Sequence, residues 1–242
     1  MNPQTIIELY DLGKASYKPT WELQHEVQKS IIEEKRAEQK GEFSGIRKND
    51  ALLFVEHPHV YTLGKSGAEE NMLRSMAELL KLDAEFVKID RGGDITYHGP
   101  GQIVGYPILD LDRHFTDIHK YLRYLEEVII KVCAEYGFKA GRIEGLTGVW
   151  IGEEKIAAMG IRCSRWVTMH GFAFNVNTDL SYFQHIVPCG IQDKAVTSLQ
   201  KLLGTELNLN EVKEKIVFHF QDVFDVRLEA RGGQKEVEEN FL

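Results

Sequence analysis

Hydrophobic positions recur at two spacings along this chain, and the spacing separates predicted helices from predicted strands. Residues 117–136 give the clearest helix, because their apolar positions keep to one face at intervals of three and four. Those positions are Ile118, Tyr121, Leu122, Leu125, Ile129, Val132 and Cys133. Further helices are predicted at 16–39, 71–82 and 210–224, the first with charged residues gathering towards its end.

Strands are predicted in runs, at 5–10, 51–56, 60–63, 86–89, 102–109, 148–151, 155–163 and 167–176. Pro107 indicates an edge strand or a bulge, because proline cannot donate to a ladder. Runs of strands that include hairpins, with helices between the runs, predict an α/β (α+β-like) fold of mixed β-sheets flanked by helices. We predict one domain over residues 1–227, followed by a polar, mobile tail over 228–242.

Composition narrows the function classes more than the fold. The 242 residues include 29 basic and 37 acidic ones, and the net charge of −8 argues against a general binder of nucleic acid or anionic membranes. We expect a cytoplasmic protein, because no apolar run is long enough to cross a bilayer and the start lacks a signal-peptide pattern. The three cysteines form no Cys-x-x-Cys pair, so free thiols are expected.

Glycine is concentrated between residues 92 and 105, where five of fourteen residues are glycine. Between these glycines, Asp94, Thr96 and His98 alternate with apolar residues, which is strand spacing and places three polar groups on one face. The run therefore resembles the wall of a binding site, although a glycine-rich hairpin without chemistry has the same local pattern. A phosphate cradle is not indicated, because the third glycine of the dinucleotide fingerprint is missing and a strand follows.

Three cysteines are the remaining reactive candidates. Cys133 lies on the apolar face of the clearest helix and is predicted to be core, and Cys163 is predicted to be structural unless its side chain faces the site. Cys189 lies between a proline and a glycine, which is compatible equally with a buried turn and with a nucleophile. His57 and His59 have no carboxylate or cysteine at ligand spacing, so no metal is expected.

Six blocks occur in a recognisable order between about residues 52 and 199: Glu56-His-Pro-His-Val-Tyr-Thr-Leu-Gly-Lys65, Arg91 to Gln102, Gly148-Val-Trp-Ile151, Lys155-Ile-Ala-Ala-Met-Gly-Ile161, His170-Gly-Phe-Ala-Phe-Asn-Val176 and Pro188-Cys-Gly190. Together these blocks resemble one family, the octanoyl-acyl-carrier-protein:protein N-octanoyltransferases of lipoate biosynthesis. Lys65 departs from the family, in which arginine is common at that place. The resemblance implies a fold similar to the catalytic domain of biotin and lipoate protein ligases.

The resemblance also implies a mechanism. The family moves an octanoyl group from octanoyl-acyl-carrier protein through a cysteine thioester, which here implies Cys189 as the nucleophile and Lys155 as its partner in a dyad. It implies no metal and no cofactor. The acceptors it implies are lysines of the lipoyl domains of 2-oxoacid dehydrogenase subunits and of the glycine cleavage H protein.

By the family pattern, fourteen residues contact the substrate: Arg91, Gly92, Gly93, Asp94, Ile95, Thr96, Tyr97, His98, Ala158, Met159, Gly160, Gly171, Phe172 and Ala173. For His98, a structural role in holding the loop and a direct catalytic role remain equally open. Arg91 is expected to anchor the loop or a carboxylate.

Two rival interpretations remain. One is an ATP-dependent lipoate-protein ligase of the same fold, and the other is a non-catalytic acyl-binding protein. Because acyl-carrier proteins are acidic, docking requires a local cationic patch, with Arg142, Arg162 and Arg165 as hypothetical contributors.

Overall fold

A computed structural model describes residues 5–43, 45, 48–187 and 195–242. In chain order its elements are β1 (Thr5–Lys14), α1 (Tyr17–Gln39), β2 (Asp50–Glu56), β3 (Val60–Leu63), α2 (Met76–Lys81), β4 (Glu85–Lys88), β5 (Ile95–His98), β6 (Gln102–Ile108), α3 (Ile118–Glu135), β7 (Val149–Ile151), β8 (Glu154–Ser164), β9 (Val167–Asn175), β10 (Ala195–Val196), α4 (Leu199–Leu203), α5 (Leu209–Phe224), β11 (Val226–Gly232) and α6 (Gln234–Phe241). Short 3₁₀ turns lie at Glu69–Asn71, Leu111–Arg113 and Leu180–His185.

The strands form two mixed sheets. The large sheet has the order β10-β8-β9-β6-β2-β1-β11, with β7 added beside β8, and the small sheet has the order β4-β3-β5. In the large sheet β1 runs parallel to β2 and β11, whereas β6, β8 and β9 are joined by antiparallel ladders. The predicted mixed sheets with flanking helices are therefore confirmed.

Side-chain alternation in β2 shows how the layers are built. Leu52 and Phe54 pack into the core under α3 and α5, whereas Leu53 and Val55 pack into the core under α1 and α6. All four side chains are at most 1 % exposed. A strand that is buried on both faces has a continuous run of apolar residues in its sequence. Strand β2 has such a run because helices cover both faces of the sheet.

Two predicted segments need correction. The short helix predicted at 71–82 covers only 76–81, where Ser75 and Glu78 form a capping box at its start. The predicted mobile tail is wrong, because residues 226–232 pair with β1 and the side chains of Val237 and Phe241 in α6 are buried.

Pro107 lies in an interior strand rather than at an edge. The β6–β9 ladder is paired at Gly105–Phe172, opens beside Pro107, and closes again at the bridge between Asp110 and Val167. The hydroxyl of Thr168 fills part of the gap by donating to the carbonyl oxygen of Pro107 at 2.9 Å. An interrupted ladder accommodates the missing N–H, as a bulge would.

Candidate active site

A cavity of about 530 Å³ lies between strands β6, β8 and β9 of the large sheet and the segment 91–98 that leads into and forms β5. Of the fourteen predicted substrate-contact residues, thirteen line this cavity, and Lys155 lines it too. Tyr97 is the exception, because it points to the opposite side of β5 and donates or accepts a 2.7 Å hydrogen bond with Nδ1 of His59. Cys189 lies outside the described residues.

Small side chains face each other across the strands of the cavity floor. In the β8–β9 ladder, Ala158 pairs with Ala173 and Gly160 pairs with Gly171. On the other side of β9, Ala173 pairs with Val104 of β6. Residues that pair directly share a face of a sheet, so two cross-strand pairs of small residues leave an open, mostly apolar surface.

The two glycines of this floor are required by contacts within the protein. A Cβ at Gly171 would overlap the carbonyl oxygen of Gly105 and would come within 2.6 Å of Cδ of Pro107. A Cβ at Gly160 would lie 2.9 Å from Cδ of Arg91. Glycine at both places therefore allows strands and loop to approach closely, whatever the cavity holds.

Arg91 holds the glycine-rich segment to the small sheet. Its Nη2 donates to the carbonyl oxygen of Thr62 at 2.9 Å and to the Thr62 hydroxyl at 3.1 Å, and its Nη1 donates to the Gly92 carbonyl oxygen at 3.0 Å. The amide of Gly92 donates to the carbonyl oxygen of Ile161 in β8 at 2.9 Å. These bonds connect the wall of the cavity to its floor, as expected for a residue that anchors the loop.

His98 and Gln102 form a polar pair behind the wall. Nε2 of Gln102 donates to the carbonyl oxygen of Tyr97 and to Oδ1 of Asn175, so its Oε1 accepts from Nδ1 of His98 at 2.8 Å. Burial lowers the pKa of His98 to about 3, so its imidazole is neutral at physiological pH. The contacts of His98 within this network are to scaffold residues.

A second imidazole, His57, lies beside this pair. Its Nδ1 is 2.7 Å from the carbonyl oxygen of Ala15, which only accepts, so Nδ1 carries the proton and Nε2 accepts from the Tyr106 hydroxyl at 2.8 Å. Burial lowers the pKa of His57 to about 4. Tyr17, at the start of α1, stacks on His98 with a ring separation of 5.8 Å. Sequence reasoning missed Tyr17 and Tyr106, since nothing in the neighbouring residues distinguishes either from an ordinary aromatic residue.

Asp90 joins three elements at the edge of the cavity. Its carboxylate accepts from Nε2 of His170 at 2.9 Å, from Nε1 of Trp21 at 3.2 Å, and pairs with Nη1 of Arg162 at 2.8 Å. Burial raises the pKa of Asp90, but the hydrogen bond from His170 and the charge of Arg162 outweigh burial and lower the pKa to about 2. His170 has a φ of +58°, an unusual value for a residue other than glycine.

Lys155 lies at the start of β8, half-buried at the opposite end of the floor. It pairs with Trp150 of β7 and with Val196 of β10, and Val196 also lines the cavity. Its Nζ is 4.7 Å from the centroid of the Trp150 ring, and a Cβ on Gly148 would lie 3.2 Å from its Cε. The aliphatic stem of the lysine therefore lies against a glycine, and its Nζ lies over an indole ring.

The other chemically reactive candidates lie away from the cavity. Cys133 is buried in the core under α3, as predicted, and burial raises the pKa of its thiol to about 12. Cys163 is exposed near the β8–β9 turn. Within residues 5–43, 45, 48–187 and 195–242, no three His, Cys, Asp or Glu side chains cluster as a metal site requires. In the same ranges, no helix has the length and apolar character needed to cross a membrane.

Two of the three arginines suggested for a docking patch have carboxylate partners. Arg142 pairs with Glu126 and Glu127 at 2.8 Å, and Arg162 pairs with Asp90. Arg165 is exposed at the β8–β9 turn, where its backbone carbonyl oxygen accepts from Lys35. The hypothesis of a patch built from these three side chains is thereby weakened, because two of the charges are already neutralised locally.

Comparisons with known proteins agree with this architecture. The family described as "Lipoyl protein ligase A/B catalytic domain" matches residues 16–221. Proteins named octanoyltransferase from Christiangramia forsetii and Flavobacterium johnsoniae are each 57 % identical over 92 % of this chain, covering 97 % and 98 % of their own lengths. The octanoyltransferase of Cytophaga hutchinsonii is 52 % identical over 94 % of this chain and 96 % of its own length.

Solved structures share the fold at low identity. Lipoate-protein ligase A bound with ATP superposes with a TM-score of 0.72 at 16 % identity, over 98 % of this chain and 92 % of that one. A bi-partite lipoate protein ligase from Thermoplasma acidophilum gives 0.70 at 15 % identity, over 98 % and 90 %. At such identity the likeness extends to the fold alone, which is the ligase fold that the sequence blocks implied.

Proposed function

The chain belongs to the octanoyltransferases of the lipoyl protein ligase A/B catalytic-domain family, and on that premise we propose how it transfers the octanoyl group in protein lipoylation. The donor is octanoyl-acyl-carrier protein, and the acceptor is a lysine of a lipoyl domain in a 2-oxoacid dehydrogenase subunit or in the glycine cleavage H protein. The group passes through a thioester on Cys189, and Lys155 moves the protons.

One observation carries the proposal: Lys155 and the floor of paired small residues line the same cavity. An acyl-thioester enzyme needs an apolar surface for the chain and a proton-transfer group within reach of the thioester carbonyl. Here the alkyl chain would lie along Ala158 and Ala173, with the reacting carbonyl towards Lys155. The described residues Phe183 and Val196, which flank the segment containing Cys189, also line the cavity.

Cys189, Lys155 and the two substrates account for every proton transfer in the proposed reaction. Transfer of the Cys189 thiol proton to the Lys155 amine gives a thiolate, which attacks the octanoyl carbonyl while the carrier thiolate leaves and takes the proton from the Lys155 ammonium. In the second half-reaction, the acceptor lysine attacks the thioester, and Lys155 receives the proton that this amine loses. The Cys189 thiolate is released for a new cycle.

Intact-protein mass spectrometry after incubation with octanoyl-acyl-carrier protein tests the intermediate. Wild-type protein should gain the mass of one octanoyl group, and Cys189→Ser should gain none. Cys163→Ser is the matched control, because Cys163 is exposed and away from the cavity, and it should be acylated like the wild type. Absence of an adduct on the wild-type protein would sink the covalent mechanism.

Lys155→Ala should lower the rate of acyl-enzyme formation near neutral pH by several tens of fold or more, because general acid–base catalysis contributes ~10²–10⁴-fold. The pH–rate profile should change as well, whereas Lys29→Ala on the exposed side of α1 should change neither. An ATP–pyrophosphate exchange that depends on octanoate would instead identify an adenylating ligase.

A further inference from the structure

Glu126 is a carboxylate in the middle of α3 with no solvent exposure, surrounded by apolar helix positions. Its Oε2 accepts from Nη1 of Arg123 at 2.7 Å and from Nε of Arg142 at 2.8 Å. Its Oε1 accepts from the backbone amide of Gly148 at 3.0 Å. Burying a carboxylate is unfavourable unless hydrogen bonds replace the lost water. The three hydrogen bonds of Glu126 provide that replacement, and one of them fixes the backbone at Gly148.

The amide that Glu126 holds belongs to the glycine on which Lys155 rests. Gly148 has a φ of +128°, and a Cβ there would lie 2.8 Å from the carbonyl oxygen of Ala157, 3.2 Å from Cε of Lys155 and 3.5 Å from its Cδ. The stem of Lys155 therefore packs directly on the α-carbon of Gly148. The conformation of that glycine determines where the lysine stem can lie, because no side chain intervenes.

The same carboxylate fixes both ends of one loop. Arg142 and Gly148 bound the segment 142–148, whose residues Gly145, Leu146 and Thr147 line the cavity. Next along the chain, the β7–β8 ladder shifts its register between Val149 and Trp150, and Trp150 then pairs with Lys155. A bulge next to a reactive group changes the direction in which a side chain points. Here Gly148, the residue just before the bulge, is held by Glu126 of α3.

We propose that Glu126 is a positioning residue for Lys155. Through its bond to the Gly148 amide, the carboxylate fixes the glycine surface beneath the lysine stem and so keeps Nζ beside the Trp150 ring and directed to the acyl site. A reacting group must be held within a fraction of an ångström by its supporting residues, since looser support lowers the rate without removing the group. The inference rests on the proposed function only in taking Lys155 as the proton-transfer group.

Two substitutions separate the bond from the charge. Glu126→Gln retains a carbonyl oxygen that can accept from the Gly148 amide, whereas Glu126→Leu fills similar volume without an acceptor. Gly148→Ala leaves Glu126 intact but introduces a methyl group under the lysine stem. The matched controls are Arg123→Gln, which removes one ionic partner of Glu126, and Gly152→Ala, whose glycine also has a positive φ but has nothing within 4 Å of a Cβ.

NMR of protein that carries ¹³Cε-lysine reports the position of Lys155 independently of activity. The Lys155 signal is assigned as the one that disappears in Lys155→Arg. The indole ring displaces that signal from the other lysines, so Glu126→Leu and Gly148→Ala should move it, whereas Glu126→Gln and both controls should not. Thermal melting identifies any variant that is unfolded. If Glu126→Leu is unfolded, the Lys155 signals of Glu126→Gln and Gly148→Ala are compared instead, and the signal should move only in Gly148→Ala.

The kinetic arm follows acyl-enzyme formation at saturating and limiting donor. Glu126→Leu and Gly148→Ala should lower the saturating rate by roughly 10- to 100-fold with little change in KM, and Glu126→Gln should recover most of the rate. A Lys155 signal that stays in place in a folded Glu126→Leu, or in Gly148→Ala where Glu126→Leu does not fold, overturns the positioning role, as does a signal that moves without loss of rate. A wild-type protein that forms no octanoyl adduct contradicts the proposed function, while the NMR result still decides the position of the lysine.

Discussion

The floor and the wall of the cavity are built by opposite means. The floor belongs to the large sheet and consists of paired small residues, so it offers space and few polar groups. The wall is the 91–98 segment, held by Arg91 and by the neutral, buried imidazole of His98. The floor is therefore sensitive to added volume, whereas the wall is sensitive to lost hydrogen bonds and to added charge.

Within one site, steric fit therefore governs the floor, whereas hydrogen bonds and charge govern the wall. Backbone atoms of β6 limit the floor at Gly171, and a backbone in a central strand cannot move aside without disturbing its ladder. The wall contains side chains that can reorient, but those of Arg91 and His98 donate to defined partners. Substitutions on the two sides should consequently differ in the size and in the kind of their effects.

The largest effect is expected from Gly171→Ala in the floor. The added methyl group overlaps the carbonyl oxygen of Gly105, so the β6–β9 ladder must part, and we expect a loss of about 3 kcal/mol or more in the free energy of unfolding. Gly141→Ala is the control, because a Cβ there meets nothing within 4 Å, and it should change stability by less than about 1 kcal/mol. Urea unfolding measures both, and equal stabilities would remove the steric account of the floor.

An intermediate effect is expected from Ala158→Leu, which fills the floor from a half-buried position that faces the cavity. If the alkyl chain lies here, shortening it by two methylenes should relieve the clash. Each buried methylene contributes ~0.8 kcal/mol, so the preference for a hexanoyl over an octanoyl donor in kcat/KM should rise roughly 15-fold. Ala77→Leu, exposed on α2, should leave that preference unchanged. An unaltered preference in Ala158→Leu would place the chain elsewhere.

At neutral pH the smallest effect is expected from His98→Asn in the wall, because this effect develops only as a pH dependence of stability below about pH 6.5. The folded pKa of His98 is about 3, below the ~6.5 of an unfolded histidine, so between these values the unfolded chain binds a proton that the folded protein does not. Stability therefore falls as the pH falls through this range, by up to about 1.4 kcal/mol per pH unit. Asparagine retains a donor near Nδ1 but does not titrate, so its curve should be less steep. His57, with a folded pKa of about 4, should contribute a second such slope, and parallel curves for wild type and His98→Asn would contradict the assignment.

The elements that sequence predicted well are those whose own residues determine them. The helix at 117–136 is observed as Ile118–Glu135, with Asp117 as the N-cap accepting from the amides of His119 and Lys120. Residues 228–242 were predicted badly because they are polar along most of their length. The side chains of Val237 and Phe241 are buried and β11 pairs with β1, and both contacts depend on distant residues.

The candidate site divides in the same way. Motifs along the chain were sufficient to indicate Lys155 and the 91–98 segment, because local blocks carry the resemblance to the family. Tyr17, Asp90 and Glu126 lie outside these blocks and gave no such signal. Each is an ordinary residue in its own segment and becomes part of the site through a partner tens of residues away.

By itself, the sequence determined the mixed α/β fold, the family and the segments that meet at the cavity, since these follow from periodicity and from contiguous motifs. Only the tertiary structure decided why Gly160 and Gly171 are glycines, why two histidines are neutral, and what lies beneath Lys155. The physical reason is that steric limits and pKa values depend on atoms that folding brings close in space. Because those atoms belong to residues far apart in the chain, local sequence patterns do not indicate their contact.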